Sequence, residues 1–225
     1  MAAGSFVLLS AANTMEQLLV RSELRETLRR QGFIVIRSAI QTQLLDTARS
    51  RVLETLQKFG DKLAQPEGEL PYCLPLPLRE HYPLIDRAEE LLKEIGADPH
   101  YLQNLMLIMK RPHEGRRYWH TDMGALYAPS HEDAPEVFVL YFLQKTTLDL
   151  KNGCLLVVPG YAEGPQHSDR VTTPMKDEYA IEVELGDVIV FDPRLLHGSM
   201  PNDSEDYRYN IRLWIQTRWT KEEEC

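Results

Sequence analysis

From residue 101 to residue 219 the chain is a succession of short apolar or alternating runs separated by turn residues. "YLQNLMLIMK", "EVFVLYFLQ", "CLLVVPG", "YAIEVEL", "DVIVF" and "YNIRLWIQTRW" follow one another, with Gly, Pro, Asp and Asn clusters between them. Strands of that length with turn signals between them predict an antiparallel sandwich or barrel.

The first hundred residues carry a different signal. Thr14 and Gln17 form a capping-box pair, and Met15, Leu18, Leu19 and Leu28 make a rough helical face that stops at Gly32. "FIVI" (33–36) predicts a buried strand. Leu44, Leu45, Ala48, Val52, Leu53 and Leu56 lie on one helical stripe. Five prolines between Gln65 and Pro83 predict loop or extended chain, and a third helix is expected from about Leu84 to Ile95, ending at Gly96. Helices first and strands afterwards predict helices packed outside a β core, not alternating βαβ units. At 225 residues one domain is expected, with a helical part over about 14–100 and a β core over about 101–219.

Charge and cysteine content narrow the partners. The net charge is −9 and no block of five basic residues exists, which disfavours nucleic acid and anionic membrane surfaces. No run approaches the roughly 20 apolar residues that span a bilayer. "MAAGSFVLLS" lacks a basic n-region, so it is not read as a signal peptide. Three unpaired cysteines (Cys73, Cys154 and Cys225) predict a reducing, cytoplasmic setting. The acidic end "KEEEC" reads as a solvated tail. A small-molecule substrate is the expected partner, and the oligomeric state stays open.

Chemistry enters with the histidines. Non-haem iron(II) that activates oxygen is held by two histidines and one carboxylate, with other positions open. A His-x-Asp string on a strand suits this, because alternate residues project to one side. Three such strings occur: His120-Thr-Asp122, His131-Glu-Asp133 and His167-Ser-Asp169. The last two lie in polar, loop-like stretches, whereas His120 follows "RRYW" among aromatic neighbours that supply dry walls. His197, after the strand-like "GDVIVF" and before Gly198, is the second histidine candidate. Arg208, eleven residues further on, offers the planar fork that binds a carboxylate, and Arg212 on the same face is the rival anchor. Tyr118, Trp119 and Tyr127 are candidate substrate-facing aromatics, and Tyr141 and Arg212 are further candidates to line the substrate pocket.

"HGSMPNDSEDYR", "GDVIVFDPRLLHGS", "LDLKNGCLLVVPG" and "LRRQGFIVIRSAI" together resemble the phytanoyl-CoA dioxygenase-like family, in matching order over roughly residues 16–219. The resemblance implies an α+β, mainly β fold: a double-stranded β-helix, or cupin-like jelly roll, with helices packed on one side. It implies iron(II) on His120, Asp122 and His197, and 2-oxoglutarate held by Arg208 with help from Ser199. Met106 and Tyr72 fall at positions that line the co-substrate pocket in that family. Oxygen is the co-substrate, ascorbate an assisting reductant, and hydroxylation of a small hydrophobic or aromatic metabolite the default outcome. The retained Asp122 argues against a halogenase. Departures from the family pattern concern the pocket mouth: Tyr161-Ala162 follows Pro159-Gly160, the 167–179 stretch is short, and the usual aromatic of one strand falls on Leu140 with Tyr141 beside it. The rivals are a non-catalytic jelly-roll partner subunit and a protein side-chain hydroxylase of the same fold.

Overall fold

The computed structural model describes residues 5–7, 15–59, 73–77, 81–122, 136–160 and 169–219. Three helices, α1 (Met15–Gln31), α2 (Thr42–Phe59) and α3 (Tyr82–Glu94), accompany eleven strands. The strands are β1 (Ser5–Val7), β2 (Phe33–Arg37), β3 (Cys73–Pro75), β4 (Ala97–Lys110), β5 (Arg117–His120), β6 (Glu136–Phe142), β7 (Leu155–Val157), β8 (Tyr179–Ile181), β9 (Val188–Phe191), β10 (His197–Ser199) and β11 (Arg208–Trp219). They form a seven-stranded sheet ordered β1-β2-β9-β6-β11-β4-β3 and a four-stranded sheet ordered β5-β10-β7-β8. Apart from the parallel β1–β2 pair, every pairing is antiparallel. This is the expected jelly roll.

The larger sheet is buried on both faces. On β6, Val137, Val139 and Tyr141 join Leu84, Leu91 and Leu92 of α3 in a core between sheet and helices. Phe138, Leu140 and Phe142 turn the other way and meet Leu155, Val157 and Phe191 between the two sheets. That is why the segment reads as an unbroken apolar run: alternation is visible only when one face is wet. A third cluster, Trp119 with Leu156, Val158 and Leu196, covers the outer face of the small sheet.

Helix α1 ends as expected, with Gly32 at φ +83° and its N–H donated to the Leu28 carbonyl. Thr14, the expected cap, lies outside the described residues. Two boundaries differ from the sequence reading. The proline-rich stretch contributes β3, an edge strand of three residues, where Pro75 is tolerated because one side of an edge needs no donor. Helix α3 begins at Tyr82 with Pro83 in its first turn, a position whose N–H has no intrahelical partner anyway. The helical and β parts also interpenetrate, since β1, β2 and β3 all belong to the large sheet. Among the described residues no helix is long and apolar enough to cross a membrane.

Candidate metal centre and its cleft

The small sheet places both histidines. His120 of β5 and His197 of β10 are direct cross-strand partners, with ring centroids 4.3 Å apart. Close approach of these strands depends on Gly198, where a Cβ would stand 3.0 Å from the Arg117 carbonyl oxygen. Asp122 follows β5 and donates its backbone N–H to the Pro193 carbonyl at 2.9 Å, which ties the end of β5 to the turn leading into β10. One ligand atom from each of His120, Asp122 and His197 lies within 4.8 Å of the others.

The imidazoles are set up as ligands. Nδ1 of His120 lies 3.0 Å from the Tyr118 carbonyl and Nδ1 of His197 lies 2.8 Å from the Leu195 carbonyl. A carbonyl only accepts, so Nδ1 carries the proton in each ring and Nε2 carries the lone pair of the neutral form. Nε2 of His197 lies 3.4 Å from Asp122 Oδ2, so the two atoms need a proton or a metal ion between them. A cation coordinated by both satisfies both. Burial, reinforced by the neighbouring His197, holds the His120 imidazole well below its usual pKa and keeps it neutral. Burial opposes the charge on Asp122, but contact with His197 and Arg212 outweighs it and holds the carboxyl below the usual carboxylate range. Two imidazoles and one carboxylate are the donor set expected for open-sided iron(II).

The cleft continues between the sheets. Arg208, Asn210 and Arg212 of β11 share its wall, as strand alternation requires. Arg208 is 5% exposed, and its Nε has no hydrogen-bond partner among the described residues. Ser199, next to Gly198 on β10, is buried and lines the same cleft. Arg212 is engaged elsewhere: its Nη1 lies 3.3 Å from Asp122 Oδ2 and its guanidinium 4.5 Å from the Phe138 ring centroid. Of the two candidate anchors for an external anion, Arg212 is thus already in contact with a carboxylate of the triad, whereas Arg208 forms no ion pair among the described residues. Met106 pairs with Arg212 across β4 and β11. Tyr72 and Tyr127 lie outside the described residues.

Tyr118 is half-buried, with its ring 5.4 Å from that of His120. Trp119 points away from the site into the outer cluster and donates its indole N–H to the Thr173 carbonyl. Tyr141 also differs from the expectation that it lines the substrate pocket. It pairs with Ile211 rather than Arg212, faces the helices, and donates its hydroxyl to the Leu84 carbonyl at 2.9 Å. Burial pushes its phenol pKa up. Tyr141→Phe is therefore expected to cost about 1 kcal/mol of stability, measured by urea denaturation, and to leave ligand binding in the cleft unchanged.

Two cleft residues were not assigned to the site from sequence. Lys110, at the end of β4, is 2% exposed, donates to the Gly115 carbonyl at 2.7 Å, and is pushed down to about 8 chiefly by burial. Arg117 stands close to Arg111 and Arg116 in the sequence. The fold separates the three: Arg111 lies by Glu114, Arg116 pairs with Glu178, and Arg117 lines the cleft.

Comparison with known proteins followed from this geometry. The model of the family described as Phytanoyl-CoA dioxygenase (PhyH) matches residues 28–210. Dioxygenase aneA of Aspergillus aculeatus is 27% identical over 139 residues, 60% of this chain and 46% of that protein, so the match spans less than half of that relative's length. The crystal structure of SnoK, a non-heme alpha ketoglutarate dependent carbocyclase from nogalamycin biosynthesis, superposes with a TM-score of 0.65 at 18% identity, covering 90% of this chain and 87% of that one. HygX from Streptomyces hygroscopicus, solved with nickel and 2-oxoglutarate bound, gives 0.63 at 17% identity, covering 93% and 88%.

Proposed function

The chain belongs to the phytanoyl-CoA dioxygenase (PhyH) family, and on that premise we propose that it is an iron(II)- and 2-oxoglutarate-dependent oxygenase of a small hydrophobic or aromatic metabolite. His120, Asp122 and His197 hold the metal, and Arg208 with Ser199 holds the far carboxylate of 2-oxoglutarate. The observation that carries this reading is the pairing of a three-ligand cluster with a buried arginine that forms no ion pair among the described residues, in one cleft. A buried cation without an anion is costly, and a bound carboxylate removes that cost. A non-catalytic jelly roll requires neither feature.

Iron with 2-oxoglutarate supplies the oxidising power: oxygen is consumed, the keto acid loses carbon dioxide to become succinate, and one oxygen atom goes to the substrate in a hydroxylation. The chain's own part is positional. Backbone carbonyls of Tyr118 and Leu195 fix the two histidine rings, and Arg212 steadies Asp122. Leu140, Leu155, Phe191 and Ile108 give the cleft apolar walls, which exclude water and suit an apolar substrate. The Phe191 ring also packs against His197, with centroids 5.2 Å apart.

Because the fold neighbour SnoK is a carbocyclase, succinate is a better first readout than a hydroxylated product. Protein loaded with iron(II) under anaerobic conditions and then exposed to oxygen is expected to convert 2-oxoglutarate to succinate. The conversion should disappear without iron and in His120→Ala. Absence of both succinate and measurable 2-oxoglutarate binding would overturn the reading.

A further inference from the structure

Among the described residues four cationic side chains line the cleft: Lys110, Arg117, Arg208 and Arg212. Two of them are compensated inside it. Lys110 Nζ lies 3.5 Å from Glu114 Oε1, and Arg212 Nη1 lies 3.3 Å from Asp122 Oδ2. Arg117 and Arg208 are not paired in this way, though the charge of Glu114 favours protonated Arg208 from further off. Among the described residues neither forms an ion pair, and Nε of each is buried without a hydrogen-bond partner.

The strand register sets these two arginines on opposite walls of one cleft. Arg208 belongs to β11 of the large sheet. Arg117 begins β5 of the small sheet and is the direct partner of Ser199 on β10. In a regular strand, residues 117 and 120 would point to opposite faces. The pairing is irregular here: two residues of β10, His197 and Ser199, oppose residues 120 and 117 of β5, so β5 spends one extra residue between them. Such a bulge re-aims a side chain. Arg117 consequently lines the cleft together with His120, and its guanidinium lies 5.5 Å from the Tyr118 ring centroid, a stacking contact that orients it.

Resting on the cofactor reading above, we propose that Arg117 is a second arm of the co-substrate clamp, holding the distal carboxylate of 2-oxoglutarate from the wall opposite Arg208, with Ser199 beside it. A carboxylate offers about four lone-pair sites on two oxygens, enough for two guanidinium groups and a hydroxyl. The proximity of the two arginines is consistent with this, since Arg117 is among the charges that lower the Arg208 pKa, after burial. Two like charges facing one dry cleft disfavour each other, and an anion between them turns repulsion into binding. The clamp selects keto acids with a second carboxylate at the far end.

The test is calorimetric titration of the full chain loaded with nickel(II), using 2-oxoglutarate and, separately, oxalate. Oxalate chelates a metal but has no distal carboxylate. Arg117→Met is expected to weaken 2-oxoglutarate by about 10- to 100-fold, the loss of one charge-assisted contact, and to leave oxalate unchanged. Arg117→Lys, which keeps the charge and loses the fork, should fall between, and it carries the test should the methionine variant not fold. Unchanged 2-oxoglutarate binding overturns the clamp, and so does an equal loss for both ligands, which would mark a disturbed metal site. Wild-type protein that binds no 2-oxoglutarate overturns the cofactor reading itself. Binding that is lost in Arg208→Met and kept in Arg117→Met overturns the clamp alone.

Discussion

His197→Ala is expected to lower metal affinity by more than about 100-fold and to abolish iron-dependent succinate formation. Loss of an outer partner of a ligand already costs about 10- to 100-fold in affinity, and here a ligand itself is removed. Asp122 would then face a void instead of Nε2 at 3.4 Å, and His120 would lose the ring that lies 4.3 Å from its own. The cleanest readout is thermal melting with and without metal. A ligand that binds only the folded state raises the melting temperature by mass action, so wild type should shift on adding iron(II), anaerobically, and the variant should not. A variant that still shifts, and still makes succinate, would remove His197 from the metal site.

Arg208→Met should separate binding from stability. The far carboxylate would lose a buried, charge-assisted partner, an effect of about 2–5 kcal/mol, so 2-oxoglutarate affinity should fall by roughly 30- to 5,000-fold. The unliganded protein should melt at the same temperature as wild type or higher. Its Arg208 is a buried cation lacking an ion pair among the described residues, and burial lowers its pKa to about 10. The sign follows from proton linkage. From about 10 up to the ordinary arginine range the unfolded chain binds more protons than the folded one, so stability rises with pH across that window. Below it both states are protonated and the full penalty is present, on the order of 3 kcal/mol. At neutral pH the wild-type apoprotein therefore carries this cost and the methionine variant does not. Partial compensation comes from the charge of Glu114 in the same cleft and from the Phe142 ring, 5.5 Å from the guanidinium. A variant that is destabilised and binds 2-oxoglutarate normally would mark Arg208 as a structural cation instead.

Much of the site was legible because its spacing is short and its partners are chemically unambiguous. His120 and Asp122 are two residues apart on the end of one strand, and the "RRYW" context separated that string from its two competitors. His197 and Arg208 stood out through the strand that precedes one and the alternation that contains the other. The face shared by Arg208, Asn210 and Arg212 was counted correctly from that alternation.

Tyr141 shows where such counting fails. "VFVLYF" is apolar at every position because both faces of its strand are buried, so its sequence holds no record of which parity faces the cleft. Only pairing with β11, Leu140 opposite Arg212 and Tyr141 opposite Ile211, decides it.

What the sequence determined by itself, then, was the mainly β architecture with helices outside it and the set of groups able to bind a metal and a carboxylate, since periodicity and donor chemistry are local properties. Tertiary structure alone decided that Arg212 steadies Asp122, that Lys110 is compensated by Glu114, and that an irregular β5–β10 pairing turns Arg117 into the cleft beside His120. Those outcomes depend on cross-strand register and on which charges meet at a distance of a few ångströms, and neither quantity is written in any one segment of the chain.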